Sequence, residues 1–391
     1  RVLNNTNSDA LYALDSSAFN SGTADSTLNL LATTGWGGTG YTGTRAAAPF
    51  AILDTVYQAK ELVLSADENT EFPELNLFWS IDNRTAVDAL CADVGDIGTT
   101  FYQGPGEDLD DCDADFPSGI YILGAFAAGG GDTDEFDQHV IAHEFGHYYE
   151  NQFSRSDSIG GEHGEIHLLD LRVAFGEGWG NAYSGMSLND PLYRDSFEGV
   201  GADFSFNFEN DSTTIEGWFS ELSASEIVWD IYDSGTESGD TVALGFGPIH
   251  DVMIGPQVTT EALTSIYTFT HALREQNPAS ASGINALLSN EQILVNGEFA
   301  EGETNDPEGN ETALPIYTPI ALGEPQSVCT HASGGAWNRV GNNRFLRFTN
   351  HASRIVTIQA AGAAAGDGTV DADDPEMFVY GQGAILGSAT L

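Results

Sequence analysis

The sharpest chemical signal in this 391-residue sequence is the segment His143-Glu144-Phe145-Gly146-His147. Four residues of an α-helix advance about 6 Å and turn about 400°, so His143 and His147 project from one face. Both imidazoles can then bind one metal ion, and Glu144 lies beside the open coordination position. A purely structural metal site has no use for a base there, so the pattern indicates a zinc hydrolase.

A catalytic zinc ion usually has three protein ligands, so one more must come from elsewhere in the chain. A continuation with Gly three residues and His six residues after the second histidine is excluded, because Glu150 and Phe153 occupy those positions. Glu177 stands in the first turn of a second apolar segment and can meet both histidines across a helix pair. The alternative is a carboxylate that only stabilises the N-terminus of its own helix.

The elements that must position these residues differ before and after residue 132. A helix over residues 49–64 and strands over 75–81 and 119–127 predict mixed α and β structure in the first part. In the second part, apolar periodicity predicts helices over residues 134–153, 174–188, 220–232, 259–274 and 283–289.

The chain therefore divides into four predicted parts. They are a mixed α/β lobe with an edge strand (1–130), a helical zinc-binding lobe (131–296), a linker (297–325) and a C-terminal β module (326–391). The linker is rich in Glu, Gly and Pro and lacks periodicity. Strands are predicted in the last part over residues 345–348, 355–359 and 377–380.

The sequence resembles the gluzincin metallopeptidases, and within them the fungalysin-like branch more than thermolysin. The resemblance rests on residues 143–147, on Gly176-Glu177-Gly178-Trp179 and on the predicted helix at 225–232, and it covers about residues 118–274. It implies an α+β, two-lobe fold with a β-rich N-lobe and an α-helical C-lobe. A small β-sandwich module follows, either complete or cut short by the end of the chain.

The resemblance also implies roles for individual residues. His143, His147 and Glu177 would bind zinc, and Glu144 would be the general base. A downstream His or Tyr would donate a hydrogen bond to the oxyanion, which leaves His250 and Tyr232 as candidates. Asn181 stands where many members have an Asp that holds a zinc-bound histidine. Substrate would pair with an edge strand, for which the segment 119–127, with Gly124, Ala125 and Phe126, has the right place in the sequence.

One polar segment does not follow the family pattern. Residues 151–171 form a longer connection than the resemblance implies, and they include the extra histidines His163 and His167. A solvated loop is the favoured interpretation. A substrate-facing insert and a second cation site are the alternatives.

Composition excludes several function classes. The sequence has 12 basic and 59 acidic residues, a formal net charge of −47, and Lys60 is its only lysine. Such a chain repels nucleic-acid phosphates and anionic membrane surfaces. It also contains no run of about 18 apolar residues that could span a bilayer. Protein or peptide substrates remain as partners, with basic or neutral ones favoured over acidic ones. Nothing in the sequence indicates an oligomeric state.

Cysteines and acidic runs bear on the compartment and on further cations. A disulfide between Cys91 and Cys112 would close a Gly- and Asp-rich loop in an exported protein, and Cys329 would be left over. Calcium is considered for the acidic runs at 107–113 and 371–374, but neither has the ligand spacing of an EF-hand, so solvated surface is favoured.

These observations predict a secreted, zinc-dependent endopeptidase. Zinc would activate water, and Glu144 would take its proton. The alternatives are a non-catalytic extracellular binding protein that keeps the metal for structure, and a zinc hydrolase of a non-peptide substrate, because the motif fixes metal and water but not the leaving group.

Overall fold

The computed structural model describes most of the chain. The described residues are 1–85, 89–106, 116–126, 131–197, 203–210, 215–235, 240–304, 315–330, 335, 337–352, 355–360 and 376–389. Within them the protein belongs to the mixed α+β class, as the sequence predicts. None of the helices in this described part is both long and apolar enough to cross a membrane.

A five-stranded mixed sheet forms the β part of the fold. Its strands are β1 (Val2–Asn4), β2 (Ala10–Leu11), β3 (Leu77–Trp79), β4 (Phe101–Gln103) and β5 (Gly119–Ile122), in the order β2-β1-β3-β5-β4. The three inner strands are parallel, and each outer strand is antiparallel to its neighbour. Strands β3 and β5 are buried along their whole length, which explains their continuous apolar sequences.

The edges of this sheet are β2 and β4, not the segment at 119–127. The prediction of an edge strand over residues 119–127 is therefore wrong. The strand there is β5, which ends at Ile122 and pairs with β3 on one side and β4 on the other. The alternation of apolar and polar residues and the apolar content of a strand indicate which of its faces are buried. They do not indicate its position in the sheet.

Eight helices in the described residues pack on this sheet and on each other. They are α1 (Ala48–Ala66), α2 (Gln138–Phe153), α3 (Leu171–Leu188), α4 (Glu221–Tyr232), α5 (Phe246–Ile254), α6 (Pro256–Thr259), α7 (Ile266–Gln276) and α8 (Ala281–Asn290). One hydrophobic core cluster joins the sheet and the helices. Helix α5 is not among the predicted helices; its Pro248 lies in the first turn, where proline is tolerated.

A hairpin that the sequence interpretation missed follows α3. Its strands are β6 (Leu192–Ser196) and β7 (Asp203–Asn207), with Asp195 opposite Phe204. An antiparallel bridge between Asp132 and Phe197 joins the hairpin to the segment that precedes α2. The hairpin thus lies beside the start of the helix that carries the His-Glu-His motif.

A buried ion pair fixes the segment before α2. The guanidinium Nη1 of Arg45 donates to Glu135 Oε1 at 2.8 Å and to the carbonyl oxygen of Gly124 at 2.6 Å. Glu135 is fully buried and Arg45 almost fully. Because breaking such a pair would leave an uncompensated buried charge, it holds the N-terminal segment, the end of β5 and the start of α2 together.

The C-terminal region contains two separate two-stranded sheets in its described residues. Strand β8 (Tyr317–Pro319) is parallel to β9 (Phe345–Arg347), and β10 (Met377–Gly381) is antiparallel to β11 (Ala384–Ala389). Strand β8 lies inside the segment predicted as a linker. No strand forms at 355–359, where Ile355 is 98% exposed, because an alternating sequence does not form a strand without a partner. A β-sandwich is not seen among these residues.

Candidate metal centre and cleft

Helix α2 positions three of the predicted site residues. It buries Ile141, Phe145 and Tyr149 almost completely, and this fixes the rotation of the helix about its axis. His143 and His147 consequently point in one direction, one helical turn apart. Their Nε2 atoms are separated by 2.9 Å.

Helix α3 approaches α2 closely because both have glycine at the contact. A Cβ atom on Gly146 would lie 3.1 Å from the Cα atom of Gly180, and one on Gly180 would lie 2.8 Å from Nε2 of His143. The close approach brings Glu177 Oε2 within 3.3 Å of His143 Nε2 and 3.2 Å of His147 Nε2. The two helices therefore assemble the three predicted ligands.

His143, His147 and Glu177 form a buried group that could hold a metal ion. Donor atoms at about 2.0–2.1 Å from a tetrahedral zinc ion lie roughly 3.3 Å from one another. The observed separations of 2.9, 3.2 and 3.3 Å are close to that value. Two imidazoles and one carboxylate are also a donor set of catalytic zinc sites, in which a fourth position stays open.

Asn181 orients one of the two imidazoles. Its Oδ1 atom lies 2.8 Å from His143 Nδ1, in a buried position one turn after Glu177. Because an amide oxygen only accepts, Nδ1 carries the hydrogen and Nε2 keeps its lone pair for a metal.

Removing this contact should weaken metal binding. We expect Asn181→Ala to lower zinc affinity about 10–100-fold, because the His143 ring loses its orientation. Asn181→Asp keeps an acceptor and adds a negative charge, so it should bind zinc at least as tightly as the wild type. Competition with a chromophoric chelator measures these affinities.

Ser184→Ala is the matched control on the same helix. Ser184 contacts His139 Nδ1 at 3.0 Å, and His139 is outside the ligand group. The zinc affinity of Ser184→Ala should therefore equal that of the wild type. Equal affinities for Asn181→Ala and Ser184→Ala would show that the contact to His143 does not support the metal site.

The charged groups of the site shift one another's pKa values strongly. Burial raises the pKa of Glu177, but the charges of His163 and His147 outweigh burial and hold it well below its usual value. Burial lowers the pKa of His147, yet Glu177 reverses this and raises it to about 9. Burial raises the pKa of Glu144, with opposition from the charges of His143 and His147. Glu144 is thus a better proton acceptor than an exposed glutamate.

Glu144 connects the metal-ligand group to the edge strand β4. The backbone N–H of Tyr102 donates to Glu144 Oε2 at 2.8 Å. This bond fixes one carboxylate oxygen, so the carboxylate has a defined direction at the wall of the cleft.

A cavity of about 1320 Å³ opens at this group. Its walls come from β4, the β6–β7 hairpin, α2 and the α2–α3 loop (residues 154–170). Pockets for drug-sized ligands have roughly 300–1,000 Å³, so this cleft has room for a segment of peptide.

The residues predicted to bind substrate do not line this cleft. Gly124, Ala125 and Phe126 follow β5, where the N–H groups of Gly124 and Ala125 donate to the carbonyl oxygen of Asn83. Phe126 packs on Trp36 instead. This part of the prediction is corrected, because β4 occupies the edge that had been assigned to residues 119–127.

The two predicted oxyanion donors also lie away from the cleft. His250 is buried on α5, where its Nδ1 atom lies 2.7 Å from the hydroxyl of Tyr149. Tyr232 ends α4, and its hydroxyl donates to the carbonyl oxygen of Met186 at 3.4 Å. Neither residue lines the cavity, so the structure does not bring them to the metal-ligand group.

The α2–α3 loop supplies a histidine that the sequence interpretation did not place in the site. His163 lines the cavity, with its Nε2 atom 3.4 Å from Glu177 Oε2 and its Nδ1 atom 2.9 Å from Glu221 Oε2 on α4. It does not belong to the three-residue ligand group. The available signal was the pair of extra histidines in a polar segment between the two ligand helices.

The C-terminal region anchors this loop. Val340 N donates to the carbonyl oxygen of Leu168, and Asp170 N donates to that of Asn338. The Asn338 side chain also donates to the carbonyl oxygens of Gly160 and Glu162. Residues beyond the predicted linker therefore hold the loop that presents His163.

The remaining predictions concern cysteines and calcium. Cys91 is disulfide-bonded, and Cys329 is a free, exposed thiol. Cys112, the predicted partner of Cys91, lies outside the described residues, as do the whole acidic runs at 107–113 and 371–374.

Comparisons with known proteins find no counterpart. No protein-family model matches the chain, and neither the curated proteins nor the solved structures include a match. The functional argument therefore depends on the chemistry of the cleft.

Proposed function

We propose that this chain is a secreted zinc-dependent endopeptidase of the gluzincin type. The observation that carries the proposal is the buried His143-His147-Glu177 group with the Glu144 carboxylate beside it at the wall of a large cleft. The disulfide at Cys91 supports an oxidising compartment outside the cytosol.

Zinc held by the two histidines and Glu177 would supply Lewis acidity, which polarises a carbonyl group and makes water acidic near neutral pH. Glu144 would take the proton of the attacking water and pass it to the leaving amine. Burial prepares Glu144 for this task by raising its pKa. The bond from Tyr102 N–H lowers that pKa in part, but it fixes the direction of the carboxylate.

His163 replaces the two donors predicted from the sequence. Both of its ring nitrogens face carboxylate oxygens, those of Glu221 and Glu177, so both act as hydrogen-bond donors. Its side chain is 37% exposed and opens on the cleft. Nδ1 stays bonded to Glu221, and when Glu177 holds zinc the Nε2 N–H would be free for the substrate. We assign this N–H the hydrogen bond to the oxygen that becomes negative in the transition state.

Substrate would lie extended in the cleft. Thr99, Thr100 and Phe101 of the edge region line the wall beside Glu144, so a peptide can lie along β4. A chain bound in this way presents its carbonyl groups toward the metal-ligand group.

Zinc content and casein hydrolysis test the proposal together. We expect about one zinc ion per chain, hydrolysis that stops on chelation, and recovery when zinc returns. His147→Ala should lose both metal and activity, because one ligand is gone. His271→Ala, a change on α7 outside the ligand group, should keep both.

Bound zinc without hydrolysis of any unfolded protein would contradict the proposal. The metal-stabilised binding protein or a hydrolase of another substrate would then be favoured. Activity that survives removal of zinc would contradict it as well.

A further inference from the structure

Three aspartates meet at the wall of the cleft, apart from the metal-ligand group. Asp195 lies on β6, and Asp132 and Asp134 lie in the segment that the Asp132–Phe197 bridge joins to the hairpin. One carboxylate oxygen of each lies within 4.8 Å of one from each of the others. All three residues line the cavity that also contains Glu144.

One oxygen of each of these carboxylates is buried without a hydrogen-bond partner. Asp134 is only 3% exposed, and its Oδ1 atom has no hydrogen-bond partner, while Oδ2 accepts from the hydroxyl of Thr100. The Oδ1 atoms of Asp132 and Asp195 are also buried without a partner. Burying a carboxylate oxygen without a hydrogen-bond donor costs folding free energy. The cluster is therefore suited to bind a ligand that supplies donors.

The electrostatics of the cluster support this interpretation. Burial raises the pKa of Asp195 to about 7, and burial with the charge of Asp132 raises that of Asp134 well above its usual value. Among the described residues that line the cavity, none is Lys or Arg. A positive charge on a ligand would therefore stabilise the ionised carboxylates, which burial and mutual repulsion destabilise.

The surroundings favour an organic cation over a metal ion. A calcium ion takes 6–8 oxygen ligands, and the hydroxyl of Thr100 is already bonded to Asp134 and to Leu123 N–H. Aromatic rings of Tyr193, Phe204 and Phe206 line the same wall of the cavity. Aromatic faces and carboxylates together suit an ammonium or guanidinium group.

We infer that Asp132, Asp134 and Asp195 form the pocket for a lysine or arginine side chain of the substrate. The inference rests on the proposed function, in which a peptide lies in the cleft. The apolar part of such a side chain would pack on the aromatic wall, and its charged end would reach the three carboxylates. The pocket thus makes basic residues near the scissile bond a requirement for tight binding.

Binding to zinc-loaded Glu144→Gln protein tests this without any need for hydrolysis. The affinities of two fluorescent peptides are compared by anisotropy. The peptides have the same otherwise neutral sequence, and they differ only at a central residue, which is lysine in one and norleucine in the other. We expect the lysine peptide to bind at least about tenfold more tightly. Asp195→Asn in the same background should remove most of that preference. Glu165→Gln, which neutralises another acid of the cleft, should keep it.

The outcomes separate the inference from the proposed function. Equal affinities for the two peptides, or a preference that Asp195→Asn leaves intact, would overturn the pocket even if the wild type cleaves casein. A lysine preference in a wild type that never cleaves would keep the pocket and reject the peptidase. A third outcome would also overturn the inference. The two peptides would bind equally well, and calcium would raise the Tm of the wild type but not that of Asp195→Asn. The cluster would then be a site for an inorganic cation.

Discussion

Glu144→Gln is expected to lower kcat about 10³–10⁴-fold while the zinc content stays at the wild-type level. Glutamine has nearly the shape of glutamate, and its amide oxygen can still accept the N–H of Tyr102, a bond of 2.8 Å in the structure. It cannot take a proton from water. Because Glu144 is outside the His143-His147-Glu177 group, metal binding should not change.

The measurement is steady-state peptide hydrolysis beside metal analysis of the same preparation. Glu162→Gln is the control, because Glu162 also lines the cavity but its side chain is exposed. It should keep kcat near the wild-type value. Glu144→Gln activity within tenfold of the wild type would exclude Glu144 as the base, and loss of zinc would show that Glu144 supports the ligands instead.

The metal-ligand group could be predicted from the sequence for a simple geometric reason. His143 and His147 are one helical turn apart, so helix formation alone places them together. Glu177 required only that two apolar helices pack, and Gly146 and Gly180 permit the close approach. Local periodicity and small residues at the helix contact were therefore sufficient to predict the three ligands.

The rest of the cleft depends on contacts that local patterns do not encode. Strand β4 has three residues, too few for an alternating pattern, and the order of strands in the sheet depends on long-range pairing. The family resemblance suggested a role for His250, but α5 directs that ring to Tyr149. The Asp132, Asp134 and Asp195 cluster forms only because a hairpin returns beside the start of α2.

His163 is the clearest example of a site residue that depends on tertiary structure. It lies in a non-helical loop, and its partners belong to α3 and α4. The segment around Asn338 holds that loop in place from the far end of the sequence. A polar loop with two histidines has no periodicity that could reveal such an arrangement.

His163→Ala should lower kcat about 10²–10³-fold, with KM little changed and zinc affinity changed far less than by the loss of a ligand. The reason is that the imidazole would interact with the substrate oxygen mainly when that oxygen carries negative charge. His163→Gln retains a donor and should recover part of the loss. Single-turnover hydrolysis and zinc competition measure the two effects separately.

His167→Ala is the matched control from the same loop. His167 contacts Arg339 and does not line the cavity, so its replacement should leave kcat within about twofold, as surface changes usually do. Equal losses in the two variants would mean that the histidines only hold the loop. A fall in zinc affinity for His163→Ala as large as that for His147→Ala would instead make His163 part of the metal site.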